Sequence, residues 1–262
     1  MSTVFLYGDV NENFAMLSKP FVNACGGKRS RIALLMLPRS QHHETRYREA
    51  WLEAGAGEIT AICPPMSMNL RSEQLSTLRQ STGIFMAGGE TKLYQRIYGT
   101  NSVSRLIGEL HAAGIPYGGV SAGAMMACDN CMVSGSIVRT KTNEFLLASK
   151  NYDESCRGQH RGGRVGLIMR KGLGLVKDCI VLPHFTEWGF FPGLVEAMEL
   201  TESHIGVGMD EGICLELREG KKATVRGRGR LYFFHRDMEG SVSPSFKVEL
   251  YEPGACFDLP SH

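Results

Sequence analysis

Along the first half of the chain, short unbroken apolar runs alternate with amphipathic ones. "TVFLYGD" (3–9), "RIALLML" (31–37), "EITAICPP" (58–65) and "GIFMAGG" (83–89) are mostly β-rich and close on Gly, Pro or a polar turn residue. Runs without polar alternation predict strands covered on both faces, as in a parallel sheet. Between them the period changes. In "ETRYREAWLEAG", Tyr47, Ala50, Trp51 and Ala54 fall on one helical stripe, which Gly55 ends. In "NSVSRLIGELHAAG", Val103, Leu106, Ile107 and Leu110 do the same. Strand and helix alternating at this spacing predict an α/β fold, a doubly wound and mainly parallel sheet flanked by helices. "IPYGGV" reads as the next strand.

The second half is less regular. Residues 150–173 are rich in Gly and basic residues and carry little periodicity, which predicts a loop or lid. "CIVLPHF" reads as a strand and "HIGVGMDEGICLELRE" as a pair of short ones. "KKATVRGRGRLYFFHR" and "FKVELYE" alternate like antiparallel edge strands near the C-terminus. No repeat or linker divides the chain, so a single domain spanning 1–262 is expected.

Composition narrows the function classes. Apolar residues make up 43% and charged ones 21%, ordinary for a globular protein. A formal net charge of +2 gives no reason to expect nucleic acid or an anionic membrane surface. The N-terminus has no basic region ahead of an apolar run, and no apolar segment is long enough to span a bilayer. The eight cysteines are scattered, several inside apolar strands, as buried reduced thiols are. A cytoplasmic location is expected.

The chemistry gathers around "GGVSAGA". G-V-S-A-G fits the nucleophile elbow, in which a serine sits on a strained turn between strand and helix and the flanking glycines relieve backbone clashes. The free N–H groups of the following helix lower the cost of a developing oxyanion. Gly88–Gly89, at the end of the preceding strand, would share the same crevice, so the N–H groups of Gly89 and Ala122 are the expected oxyanion donors. Of eight histidines, His184 at the tip of "CIVLPHF" is the best-placed base, with His160 second.

With Gly88–Gly89, "GGVSAGA" and "PHF" in this order, the chain resembles the dipeptidase E and cyanophycinase family of serine peptidases. Their fold is similar to that of class I glutamine amidotransferases, with serine in place of cysteine at the elbow. The likeness runs from "TVFLYGD" to about "RGRGRLYFF", and includes a G-I/L-D-E strand pair and a closing hairpin. The resemblance implies Ser121 as nucleophile, His184 as general base, Gly89 and Ala122 as the oxyanion hole, and no metal or other cofactor. An acid that orients the imidazole is also implied. Glu144, in "KTNEF", is the expected one, with Glu187, Asp129 and the Asp210–Glu211 pair as alternatives. A small peptide is the expected partner, and a homodimer is left open.

The substrate positions depart from the cyanophycinase pattern H-F-x-x-R-x-R. This chain has "HFTEWGFFPG", and "HFT" is closer to dipeptidase E, whose substrates begin with aspartate. An aspartyl side chain would need a cation, which Arg157, Arg161 or Arg164 offers. Glu90, Glu187 and Trp188 are further candidate substrate contacts. The α/β-hydrolase fold, which has the same elbow, ranks second because its histidine comes near the chain end. A non-catalytic amidotransferase-like binding module is the alternative from another class.

Three features are discounted. Cys128 and Cys131 are expected to pack on one face of the helix after the elbow, since no second pair completes a zinc site. "RGRGR" (226–230) is expected in a charged edge hairpin. Asp9 and Glu12 face the crevice edge, where turn chemistry is the plainer role and lining the site the sharper one.

Overall fold

The computed structural model describes residues 2–99, 102–134, 136–137, 147–148, 167–237 and 245–259. The first half contains β1 (Thr3–Tyr7), α1 (Phe14–Ala24), β2 (Arg31–Leu35), α2 (Glu44–Glu53), β3 (Glu58–Ile62), α3 (Ser72–Gln80), β4 (Gly83–Met86), α4 (Thr91–Tyr98), α5 (Ser102–Ala112), β5 (Tyr117–Val120) and α6 (Ala122–Met126). The second half adds β6 (Asn130–Ser134), β7 (Ser136–Ile137), β8 (Leu147–Ala148), β9 (Ile168–Lys171), β10 (Cys179–Pro183) and α7 (Phe191–Thr201). It closes with β11 (Ile205–Met209), β12 (Ile213–Arg218), β13 (Lys222–Gly227), β14 (Leu231–Asp237), β15 (Ser245–Tyr251) and β16 (Cys256–Asp258).

Eight strands form the main sheet in the order β16-β13-β12-β1-β5-β4-β2-β3. The five from β1 to β3 in that order are parallel, and β12, β13 and β16 continue it antiparallel. The expected α/β architecture is therefore present. Its core explains the unbroken apolar runs. Phe85 of β4 is fully buried and lies 4.8–6.0 Å, centroid to centroid, from the rings of Trp51, Phe21, Tyr7, Tyr47 and Phe14. Tyr47 and Trp51, one turn apart on α2, supply that helix's buried face. Burying each such ring contributes about 1.5–3 kcal/mol, and together they fix the end of β4, where Gly88–Gly89 begins.

The structure corrects the expected course of the second half. β10, β11, β14 and β15 form a second, four-stranded sheet, so the strand leading to His184 does not share a sheet edge with the elbow. β11 and β12 do not pair, nor do β13 and β14; each pair is split between the two sheets. The chain crosses between the two sheets side by side at Asp210–Gly212 and Arg228–Arg230, and again between β15 and β16. Backbone bonds tie the side-by-side crossings together: Asp210 N–H donates to the Arg230 carbonyl (3.2 Å) and Arg228 N–H to the Gly212 carbonyl (2.9 Å). A Cβ on Gly212 would lie 2.1 Å from the Arg228 carbonyl oxygen, so only glycine fits this approach. "RGRGR" is thus largely a crossing rather than a hairpin tip.

Two smaller corrections concern the elbow's surroundings. The end of the stretch expected as a loop, Ile168–Lys171, is strand β9, antiparallel to β6. Cys128 and Cys131 do not share a helix face, because α6 stops at Met126. The carbonyls of Met126, Ala127 and Cys128 are claimed by the N–H groups of Leu173, Leu175, Val176 and Gly174, which end the helix. The packing role still holds. Both thiols are buried; burial pushes Cys131 up to about 12, and a Cys179 hydrogen bond together with burial pushes Cys128 well up.

Candidate active site

Ser121 stands between β5 and α6 with φ 53° and ψ −113°, a sparsely populated conformation that costs about 1–3 kcal/mol unless its surroundings enforce it. They do so closely. Ser121 N–H donates to the Tyr7 carbonyl of β1, and its own carbonyl accepts from Ala124 and Met125 N–H. A Cβ on Gly119 would lie 2.3 Å from the Gly123 carbonyl oxygen, and one on Gly123 would lie 2.1 Å from that of Met86. Both glycines of G-x-S-x-G are therefore required by close backbone approach, which holds the serine at the crevice.

His184 follows β10 and also has positive φ, 54°. Its ring is stacked on Trp188 (4.3 Å between centroids, 9° between planes), and Trp188 N–H donates to the His184 carbonyl at 2.9 Å. The imidazole is thus held by packing on one face and by its backbone turn. Nε2 lies 2.9 Å from Ser121 Oγ, and Nδ1 lies 2.7 Å from Glu211 Oε1. A carboxylate only accepts, so Nδ1 carries the proton and the Nε2 lone pair faces the serine hydroxyl. The imidazole side chain is only 8% exposed, while the Glu211 carboxylate reaches it from a partly exposed side chain.

The described candidate acids differ in their partners. Glu211 lies on the first crossing between sheets and alone among the described candidates bonds the imidazole. Its neighbour Asp210 spends both oxygens on scaffolding, accepting from Thr186 Oγ1 (2.7 Å) and Arg230 N–H (2.9 Å). Glu187 accepts from Glu211 N–H (3.1 Å) and so braces the same turn. Asp129 accepts from Lys177 Nζ and Asp178 N–H. Glu144, His160, Arg157, Arg161 and Arg164 lie outside the described residues. "MDEG" carries the signal of an acid at a strand end beside a glycine that can take the crossing, but it does not tell Asp210 from Glu211.

Other candidate residues lie around the crevice. Gly88 lies against Ser121, and its N–H is taken by the Tyr47 hydroxyl (3.2 Å), which turns attention to Gly89 as the donor. Burial pushes the Tyr47 phenol up to about 12, so it adds no negative charge there. Ala122 is the first residue of α6, where an N–H has no acceptor within the helix. Glu90 serves as the residue before α4, its carbonyl accepting from Leu93 and Tyr94 N–H. Asp9 lies beside the catalytic candidates: its N–H donates to the Glu211 carbonyl (3.0 Å), and Asp9, His184 and Glu211 bring side-chain donor atoms within 4.8 Å of one another. Trp188, a candidate substrate contact, stacks on the imidazole and so holds its plane.

The family model for Peptidase family S51 matches residues 11–225. The chain belongs to peptidase family S51. Among curated relatives, the S51 chain is 24% identical over 230 residues to the cyanophycinase of Synechococcus elongatus, covering 82% of this chain and 65% of that protein. It thus spans slightly less than two thirds of that relative's length. The cyanophycinase of Geminocystis herdmanii (strain PCC 6308) is 23% identical over 248 residues, covering 92% of this chain and 82% of the relative. A peptidase from an acI-B1 actinobacterium superposes with a TM-score of 0.63 at 17% identity, covering 99% and 97% of the two chains. A putative peptidase E protein from Listeria monocytogenes EGD-e gives 0.53 at 16% identity, covering 87% and 100%. These two likenesses speak to fold. No helix among the described residues is long and apolar enough to cross a membrane.

Proposed function

We propose that the chain is a serine peptidase that hydrolyses small peptides through an acyl-enzyme. The observation that carries this is the relay from Ser121 through His184 to Glu211, with contacts of 2.9 and 2.7 Å, built on a strained elbow. Ser121 Oγ attacks the amide carbonyl carbon while its proton passes to His184 Nε2. Glu211 holds the imidazole in the accepting tautomer and stabilises the imidazolium that forms. Gly89 and Ala122 N–H donate to the oxyanion. The imidazolium then gives its proton to the departing amine, and a water activated by the same nitrogen releases the acyl group.

Substrate choice follows the residues after His184. At the two positions where the cyanophycinase pattern has arginine, this chain has Trp188 and Phe190; the first stacks on the imidazole and the second is buried. Those positions are thus committed to holding the site, and no guanidinium is offered there to a polymer. Short peptides remain, with aspartyl dipeptides the class favoured by the "HFT" likeness. The test is a panel of aspartyl dipeptides, other dipeptides, longer peptides and cyanophycin, read by amine release. Dipeptides are expected to be cleaved, aspartyl ones fastest, and cyanophycin left intact. No cleavage of any peptide by the folded wild-type protein would overturn the reading.

A further inference from the structure

We propose that Asp9, His184 and Glu211 form a site for a divalent transition metal, of which Zn²⁺ is the best match, and that filling it inhibits the enzyme. The inhibitory part rests on the peptidase reading above; the site itself rests on geometry. One imidazole nitrogen and one oxygen from each carboxylate lie within 4.8 Å of one another, and the closest pair is already at 2.7 Å. Zinc holds N and O donors at about 2.0–2.2 Å, which in a tetrahedron places them roughly 3.3 Å apart. That spacing falls inside the range seen here, so movement of the Asp9 carboxylate by about an ångström or two, with slight spreading of the closest pair, would close the site.

The backbone brings these donors together independently of any metal. Asp9 N–H bonds the Glu211 carbonyl, and Gly8 N–H bonds that of Ile213. A Cβ on Gly8 would lie 2.1 Å from the Asp210 carbonyl oxygen, so the end of β1 is pressed onto the crossing that carries Glu211. Asp9 Oδ1 accepts from Val10 N–H, which orients its carboxylate, and Trp188 fixes the imidazole plane. Two carboxylates balance the charge of a divalent ion. A neutral imidazole favours zinc over calcium or magnesium, and three protein ligands leave a position for water.

Inhibition follows from the single lone pair of neutral imidazole. A metal on Nδ1 takes that nitrogen's lone pair, so the single proton of the neutral ring moves from Nδ1 to Nε2, which then faces Ser121 without a lone pair to accept the hydroxyl proton. A metal on Nε2 blocks the serine directly. Either way the base is lost while the metal stays, and a chelator that removes the metal restores it.

The test uses full-length protein carrying His42→Ala, His43→Ala and Cys256→Ser, which removes a stacked histidine pair and an exposed thiol that would bind zinc elsewhere. Zinc is titrated by calorimetry, and the rate of fluorophosphonate labelling is followed with zinc and after EDTA. One zinc per chain, at least a tenfold fall in labelling and recovery with EDTA are expected. Asp9→Asn, which retains the shape of the side chain, and His184→Ala should each weaken binding at least tenfold. Equal zinc affinity in wild type and both variants would overturn the site, and saturation without slower labelling would overturn inhibition. A chain that binds zinc through Asp9 but never reacts with the probe would refute the peptidase reading and the inhibitory claim together, while upholding the site.

Discussion

In His184→Ala protein, fluorophosphonate labelling and peptide turnover fall by roughly 10⁴-fold or more. Serine's hydroxyl is a weak nucleophile until a base removes its proton as the new bond forms. Nε2, 2.9 Å from Ser121 Oγ, is the group in contact with that proton. The imidazole is nearly enclosed, so its removal leaves a pocket beside Trp188 rather than a ready replacement base. Any rate that persists belongs to the oxyanion donors and binding, as they do not pass through His184. An unchanged far-UV spectrum and melting temperature within a few degrees would separate chemistry from unfolding, and a loss under tenfold would contradict the assigned base.

The second large effect is expected from Glu211→Gln, at about 10²–10⁴-fold in kcat. The amide keeps the shape of the side chain but loses the charge that stabilises the imidazolium. Its NH₂ group can also donate to Nδ1, which favours the tautomer with the proton on Nε2, against the serine. Glu187→Gln or Asp129→Asn should cost less than tenfold, since Glu187 braces the Glu211 backbone and Asp129 bonds Lys177 and Asp178. Glu144→Gln is expected to leave the rate within about threefold, because the His184 Nδ1 already has Glu211 at 2.7 Å. A collapse in Glu144→Gln with Glu211→Gln active would reverse the assignment.

The parallel half of the fold was legible because each element there is local in its signal. Continuous apolar runs marked β1 to β4, and the Tyr47–Trp51 stripe marked α2. The elbow was legible for a related reason: Gly119 and Gly123 flank Ser121 because the backbone comes too close for a side chain, and that requirement is written in sequence. The exchange between sheets was not. Alternation shows that a residue faces one side of a strand, but it does not name the neighbouring strand. β13 and β14 therefore look like a hairpin although they pair with β12 and β15. The acid was obscured by the same geometry. Asp210 and Glu211 are adjacent and chemically alike, yet the crossing turns one toward Thr186 and Arg230 and the other toward His184.

The central claim, that Ser121 is an activated nucleophile, is tested most directly by treating folded wild-type and Ser121→Ala protein with a fluorophosphonate and mapping the adduct by peptide mass. The relay predicts one adduct per wild-type chain, on Ser121, and none in Ser121→Ala. No adduct in the wild type, or an equal adduct elsewhere in both proteins, would contradict it.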